Sequence, residues 1–310
     1  MLSTAPVECP RRLLEAAGGL PALRTAVVNA TTAMVLESAR DAADAKIIEP
    51  VLFGDADRIG QLAEEIGWDI GGLRIVDADD EREAAALAAA AAGDGTVEAL
   101  MKGHVHTDVF MSAALKREAG LRTGHRLTHV FHMTVPGHDD PLFISDGALN
   151  THPDVETKKA IITNAVDLAR ALEIEIPHVA LLSATEEPSE HLPSSLHAAE
   201  LADWAKVNVG GAEVHGPLAF DLTVSPDAAR IKGIDHPVAG NADIVVVPDI
   251  VSGNALFKMM VYFMSACAAG VVLGAKVPIL LTSRADPPEA RLASAAVASI
   301  MKQSAAGAAP

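Results

Sequence analysis

Over the first 120 residues, short apolar runs alternate four times with stretches of helical length and composition. The runs are 25–28, 47–53, 73–76 and 97–101, and the helical stretches are 32–43, 56–66, 81–92 and 108–118. A strand that is followed each time by a helix cannot pair with its successor through a tight turn. The alternation therefore predicts parallel strands with helices on both faces of the sheet. No sequence repeat accompanies it, so the expected fold is a layered α/β fold and not a solenoid.

The middle of the chain begins differently. Segments 126–135 and 141–145 are separated only by Pro136-Gly137-His138-Asp139-Asp140, a turn short enough to imply an antiparallel pair and the entry to a second domain. A long helix follows, with Pro153 expected in its first turn and Ile161, Ile162, Ala165, Leu168, Ala169 and Leu172 on one face. Strand 179–182, helix 197–206, strand 243–247 and an apolar helix at 255–268 complete that domain. The closing strand and helix, 278–305, are too small to stand alone and are expected to return to the first domain. The expected division is 1–138 plus 269–310 against 139–268, with a disordered tail at 304–310. At 310 residues, each half is long enough to bury its own core.

A net charge of -17 excludes a nucleic-acid partner, since a phosphate backbone needs a basic surface. Two distant cysteines, Cys9 and Cys267, offer neither a disulfide framework nor a zinc motif and fit a reducing, cytoplasmic setting. Segment 255–281 is apolar enough to raise a membrane span, but Gly270, Gly274 and Pro278 interrupt it. A buried or subunit-interface helix followed by core strands is the better reading. Six of the twelve histidines fall between His104 and His138, including a His104-x-His106 pair, yet no matching ligand set recurs elsewhere. The chain lacks G-x-G-x-x-G, and Gly270 to Lys276 fails as a phosphate loop because its spacing is short and no Ser or Thr follows the lysine.

Thr282-Ser283-Arg284-Ala285-Asp286-Pro287-Pro288 follows an apolar strand and precedes a helix, where open α/β sheets bind ligands. Two readings stand side by side. Asp286 before a proline suits a helix cap, and Arg284 suits a surface charge. Equally, a guanidinium grips phosphate bidentately, a hydroxyl donates to an oxyanion, and a carboxylate accepts a thiol proton.

The run Gly274-Ala-Lys-Val-Pro-Ile-Leu-Leu-Thr-Ser-Arg-Ala-Asp286 resembles the closing signature of the phosphate acetyltransferase/phosphate butyryltransferase family, particularly its butyryltransferase-like branch. Four further segments resemble the family in order. They are Met101-Lys102-Gly103 with Thr107-Asp108; Asp146 to Asn150 with Pro153-Asp154; Gly216 to Asp221 with Val224-Ser225; and Ala239 to Ile244 with Val247-Pro248-Asp249 and Gly253-Asn254. The resemblance implies two α/β domains of isocitrate/isopropylmalate dehydrogenase-like architecture with a cleft between them, a homodimer, and no metal or nucleotide cofactor.

By the same resemblance Ser283 and Arg284 are the active-site pair, and Arg126 stands near a second phosphate-binding arginine. Lys102, Gly103, Asn150, Asp221 and Thr282 are the remaining substrate-binding candidates. The implied reaction moves a short-chain acyl group, acetyl or butyryl, between phosphate and coenzyme A, the latter a substrate. A carboxylate, by preference Asp286, deprotonates the thiol, which attacks an acyl phosphate held by Arg284 and Arg126 while Ser283 donates to the oxyanion. In the acetyltransferase branch the carboxylate lies farther on, near Ala290, so Glu289 is an alternative base. Segment 186–195 lacks the family's Asn-Pro pattern, which puts the acyl pocket in question. The rival readings are a metal- or NAD-dependent dehydrogenase on the same architecture and a non-catalytic acyl-CoA-binding protein.

Overall fold

The computed structural model describes residues 2–138, 140–282 and 286–307. The chain forms two compact units, Val7–His125 with Ala269–Pro310, and Met1–Pro6 with Arg126–Ala268.

In the first unit the order is α1 (Arg11–Gly18), β1 (Leu23–Val28), α2 (Ala33–Asp44), β2 (Ile48–Gly54), α3 (Ala56–Glu65), β3 (Arg74–Asp77), α4 (Glu81–Gly93), β4 (Ala99–Lys102) and α5 (Thr107–Leu115). The alternation read from sequence gives parallel pairing of β3 with β2, β2 with β1, and β1 with β4. Local chemistry starts the helices. Asp55 accepts from the Arg58 amide at 2.9 Å, and Asp80 accepts from the Arg82 and Glu83 amides at 2.8 and 2.9 Å. Each such cap contributes about 1 kcal/mol. Helix α4 buries Ala84, Ala85, Ala88, Ala89 and Ala92, a small-residue stripe that lets it lie close to its neighbours.

The second unit runs β5 (Thr128–Thr134), β6 (Leu142–Ser145), α6 (Val155–Ala171), β7 (His178–Leu182), α7 (Pro193–Asn208), β8 (Glu213–Leu218), α8 (Phe220–Val224), α9 (Pro226–Lys232), β9 (Ile244–Val246) and α10 (Ile250–Met264). β5 and β6 are antiparallel, and β6, β9, β7 and β8 follow in parallel. The hairpin belongs whole to this unit, so the division falls between His125 and Arg126 and not after residue 138. Strand β8 and helices α8 and α9 escaped the sequence reading. Gly216 and Pro217 interrupt the strand's pattern, and the two helices are too short to show a period. Helix α6 starts one step later than expected: Asp154 caps it by accepting from the Thr157 amide at 2.8 Å, so Pro153 precedes the cap.

Helix α10 corrects the expected bounds of 255–268. It ends at Met264, and Cys267 and Ala268 already belong to a strand. Within the chain it is not buried all round. Phe131, Met133, Ile144, Val245 and Val247 form a core against which Met260, Leu256, Phe257 and Val261 pack, while Val251, Met259, Tyr262, Phe263 and Met264 are exposed. One flank of the helix covers the sheet, and the opposite flank is exposed.

The chain re-enters the first unit through β10 (Cys267–Leu273), β11 (Ile279–Leu280) and α11 (Pro288–Gly307). β11 runs antiparallel to β10 and parallel to β4, so the closing segment completes the first sheet. Residues 304–307, expected to be disordered, continue helix α11. The helix buries Ala290, Ala293, Ala296, Val297 and Ile300. Among the described residues no helix is long and apolar enough to cross a membrane.

Candidate active site

Three parallel strands of the first unit end together. Val28 of β1 lies opposite Lys102 of β4, and Met101 lies opposite Leu280 of β11. Their carboxyl ends form the edge at which ligands bind in open α/β sheets. Beyond the sheet the first two segments stay joined. The Gly103 amide donates to the Val28 carbonyl at 3.0 Å, the His104 amide donates to the Asn29 carbonyl at 3.0 Å, and Asn29 Nδ2 donates to the His104 carbonyl at 2.5 Å. Asn29 takes a positive φ of 54° to make this turn. Lys102, at the strand end, is buried, as is Thr282 two residues beyond β11.

Asp286 stands half-buried just before α11. The Pro287 carbonyl accepts from the Ala290 and Arg291 amides at 3.1 and 3.3 Å, so Pro287 opens the helix and Asp286 is one residue outside the expected cap position. The backbone carbonyl of Asp286 accepts from Arg291 Nε at 3.1 Å. Arg291 is 4% exposed. Burial lowers its pKa, and the Asp286 charge opposes that shift. A buried guanidinium needs such partners. Sequence reasoning passed over Arg291, although an arginine in the first turn of an alanine-rich helix was the available signal. Glu289 is felt elsewhere: with burial as the larger cause, its charge helps push the Cys9 thiol up to about 12. Ser283 and Arg284 lie outside the described residues.

The remaining candidates belong to the second unit. Asn150 is committed locally: its Nδ2 donates to the Leu127 carbonyl at 3.0 Å and to Asp146 Oδ2 at 2.7 Å. Asp146, buried, also accepts from the His129, Ala148 and Leu149 amides at 3.0, 3.0 and 2.8 Å. That carboxylate holds the loop shape. Asp221 lies 3.1 Å from Lys232, which also pairs with Glu186 at 3.0 Å, an exposed ion network of small energetic worth. Arg126 is exposed; its carbonyl accepts from Asn164 Nδ2 at 3.2 Å. The structure thus puts Lys102, Gly103 and Thr282 at one sheet edge and Asp286 just before α11, and sets Arg126, Asn150 and Asp221 in the other unit.

A family model described as phosphate acetyl/butaryl transferase matches residues 80–299, which include both the Lys102-Gly103 corner and the segment through Asp286. The chain belongs to the phosphate acetyl/butaryl transferase family. A phosphate acetyltransferase of Rhizobium meliloti is 45% identical over 290 residues, covering 93% of this chain and 92% of that protein. A phosphate butyryltransferase of Clostridium acetobutylicum is 37% identical over 279 residues, covering 90% and 93%. Among solved structures, a branched-chain phosphotransacylase from Enterococcus faecalis is 29% identical with a TM-score of 0.78, covering 90% of this chain and 99% of that one.

In this family member His106 of the His104-x-His106 pair is engaged with α4. His106 Nδ1 lies 2.8 Å from Glu81 Oε1, and the His106 amide donates to Glu81 Oε2 at 2.9 Å, which ties the start of α5 to α4. Among the described residues no group of three His, Cys, Asp or Glu side chains is placed to hold a metal.

Proposed function

We propose that this transferase moves a short-chain acyl group between coenzyme A and phosphate by direct transfer, without a metal or nicotinamide cofactor. The observation that supports the reading is the pairing of β4 with β11, which leaves Lys102, Gly103 and Thr282 at the carboxyl ends of neighbouring strands, with Asp286 just before α11, all within the region matched to the family. Asp286 takes the proton from the coenzyme A thiol. The thiolate attacks the acyl carbon, the carbonyl oxygen becomes an oxyanion that Ser283 meets with a hydrogen bond, and the carbon–oxygen bond to phosphate breaks. Arg284 and Arg126 hold the phosphate, and Lys102 adds positive charge at the same edge. Holding both reactants together supplies much of the acceleration, so no acyl-enzyme is required.

The assembly proposed is a cytoplasmic homodimer of isocitrate/isopropylmalate dehydrogenase-like architecture. Two α/β units, one assembled from both chain ends, support the architecture, and the exposed apolar flank of α10 supports the dimer. The higher identity to an acetyltransferase than to a butyryltransferase makes acetyl-CoA the first substrate to try. The test mixes protein with phosphate and acetyl-CoA or butyryl-CoA and follows free thiol. Thiol release that depends on phosphate, is driven further by arsenate and survives a chelator is expected. Release abolished by the chelator and restored by zinc would overturn the metal-free mechanism.

A further inference from the structure

One cation of α11 stands where both a helix and a protein interior disfavour it. Arg291 is in the first turn of that helix and is 4% exposed. A positive charge there opposes the helix dipole, and burial strips the guanidinium of water. The side chain turns back past the start of its own helix. Its Nε donates to the Asp286 carbonyl at 3.1 Å, and its Nη2 lies 3.1 Å from Sδ of Met34, the second residue of α2. A thioether is a weak acceptor, so the stronger hold is the one at Asp286. The Asp286 charge also favours the charged guanidinium against the effect of burial, and by reciprocity the guanidinium favours the ionised carboxylate.

Helix α2 follows β1, and Asp286 follows β11, while β4 pairs with both of those strands. Arg291 therefore ties together two segments that leave the same sheet edge. A residue that only filled the inner face of α11 would be apolar, as Ala290, Ala293, Ala296 and Val297 are. A planar guanidinium can grip a backbone carbonyl with one nitrogen and reach a second element with another, which a lysine ammonium does less well. We propose that Arg291 is a positioning residue for acyl transfer: it pins the backbone at Asp286 against the start of α2 and keeps the Asp286 carboxylate in its charged, proton-accepting form. The role rests on the reading of Asp286 as the base and requires no contact between Arg291 and substrate.

The test is steady-state kinetics with acetyl-CoA and phosphate on Arg291→Gln, Arg291→Lys, Asp286→Asn and the double variant Asp286→Asn with Arg291→Gln, each checked for folding by circular dichroism. Arg291→Gln should lower kcat about tenfold or more, the scale of a misplaced catalytic group, and leave the phosphate KM within about twofold. Arg291→Lys, which keeps the charge without the fork, should fall between that variant and wild type. Residues that act as a unit are not additive, so Arg291→Gln should change kcat by less than about threefold once Asp286 is asparagine. Should Arg291→Gln fail to fold, Arg291→Lys decides by the same split, with kcat lowered about threefold or more and the phosphate KM kept. Wild-type kcat in the deciding variant, a phosphate KM that rises as kcat falls, or full additivity in the double variant would each overturn the proposal. Wild-type turnover by Asp286→Asn would remove the base and this role with it. Lost turnover by Asp286→Asn beside wild-type kcat in Arg291→Gln would remove the positioning role alone.

Discussion

The Gly103 amide donates to the Val28 carbonyl at 3.0 Å, and a Cβ added to Gly103 would stand 2.2 Å from that same oxygen. The contact is backbone against backbone, so no side-chain rotation relieves it. Gly103→Ala should separate the ends of β1 and β4, cost about 1–3 kcal/mol of stability, and lower acyl transfer through displacement of Lys102. Gly60→Ala is the control. Gly60 lies inside α3 with nothing within 4 Å of the added carbon, and there the change should stabilise by up to about 1 kcal/mol. Urea unfolding of both variants checks the pair; equal stability would remove the steric argument.

Asp286 is the proposed base, and Asp286→Asn tests it. General-base catalysis contributes on the order of a hundredfold or more, so both the asparagine and the alanine variants should lose about that much in kcat. Because the Pro287 carbonyl opens α11, neither change removes its cap, but both remove the charge facing buried Arg291 and should cost about 1–3 kcal/mol in stability. Wild-type turnover by Asp286→Asn would pass the role to Glu289.

Arg284→Lys retains the charge but not the planar fork that binds phosphate bidentately. A clearly raised KM for phosphate with an unchanged melting temperature is expected. Steady-state kinetics across phosphate concentration decide it, and an unaltered KM removes Arg284 from the phosphate site.

Burial drives two histidines of β5, His129 and His132, down to about 4, with Asp146 partly opposing the shift at His129. The folded state disfavours their protonation, while the unfolded chain binds protons near the ordinary value of 6.5. Stability from this source is therefore complete above about pH 6.5 and is lost as pH falls toward 4, at up to about 1.4 kcal/mol per pH unit per histidine. His132, whose Nδ1 has no hydrogen-bond partner among the described residues, is the one to replace. Denaturant titrations at pH 7 and pH 5 should show a smaller difference for His132→Leu than for wild type. An unchanged difference would assign the acid sensitivity elsewhere.

Tyr262 and Phe263 of α10 are 52% and 54% exposed beside Val251 and Met259, which share their flank at helical spacing. If a second copy covers this flank, Phe263→Glu should convert a dimer to a monomer in sedimentation velocity while the monomer keeps its far-ultraviolet spectrum. A wild-type monomer, or a variant that remains dimeric, would discard the interface.

By itself the sequence determined the α/β class, the parallel order of the first strands and the return of the chain's end to the first unit, because apolar period and turn residues act over a few neighbours. It also marked the segment through Asp286 and the corner at Lys102-Gly103. Local patterns could not reveal β8, whose Gly216 comes so close to Leu181 that an added Cβ would lie 2.6 Å from that residue's Cβ; such a strand is selected by its partner and not by its own propensity. Nor could they separate a helix buried all round from α10, since apolar residues look alike whether covered by the chain or left open. Tertiary structure alone gave Arg291 its place against Asp286 and turned Asn150 toward Asp146. Those outcomes depend on which polar groups the fold brings together in a low-dielectric space, which no run of apolar and turn residues encodes.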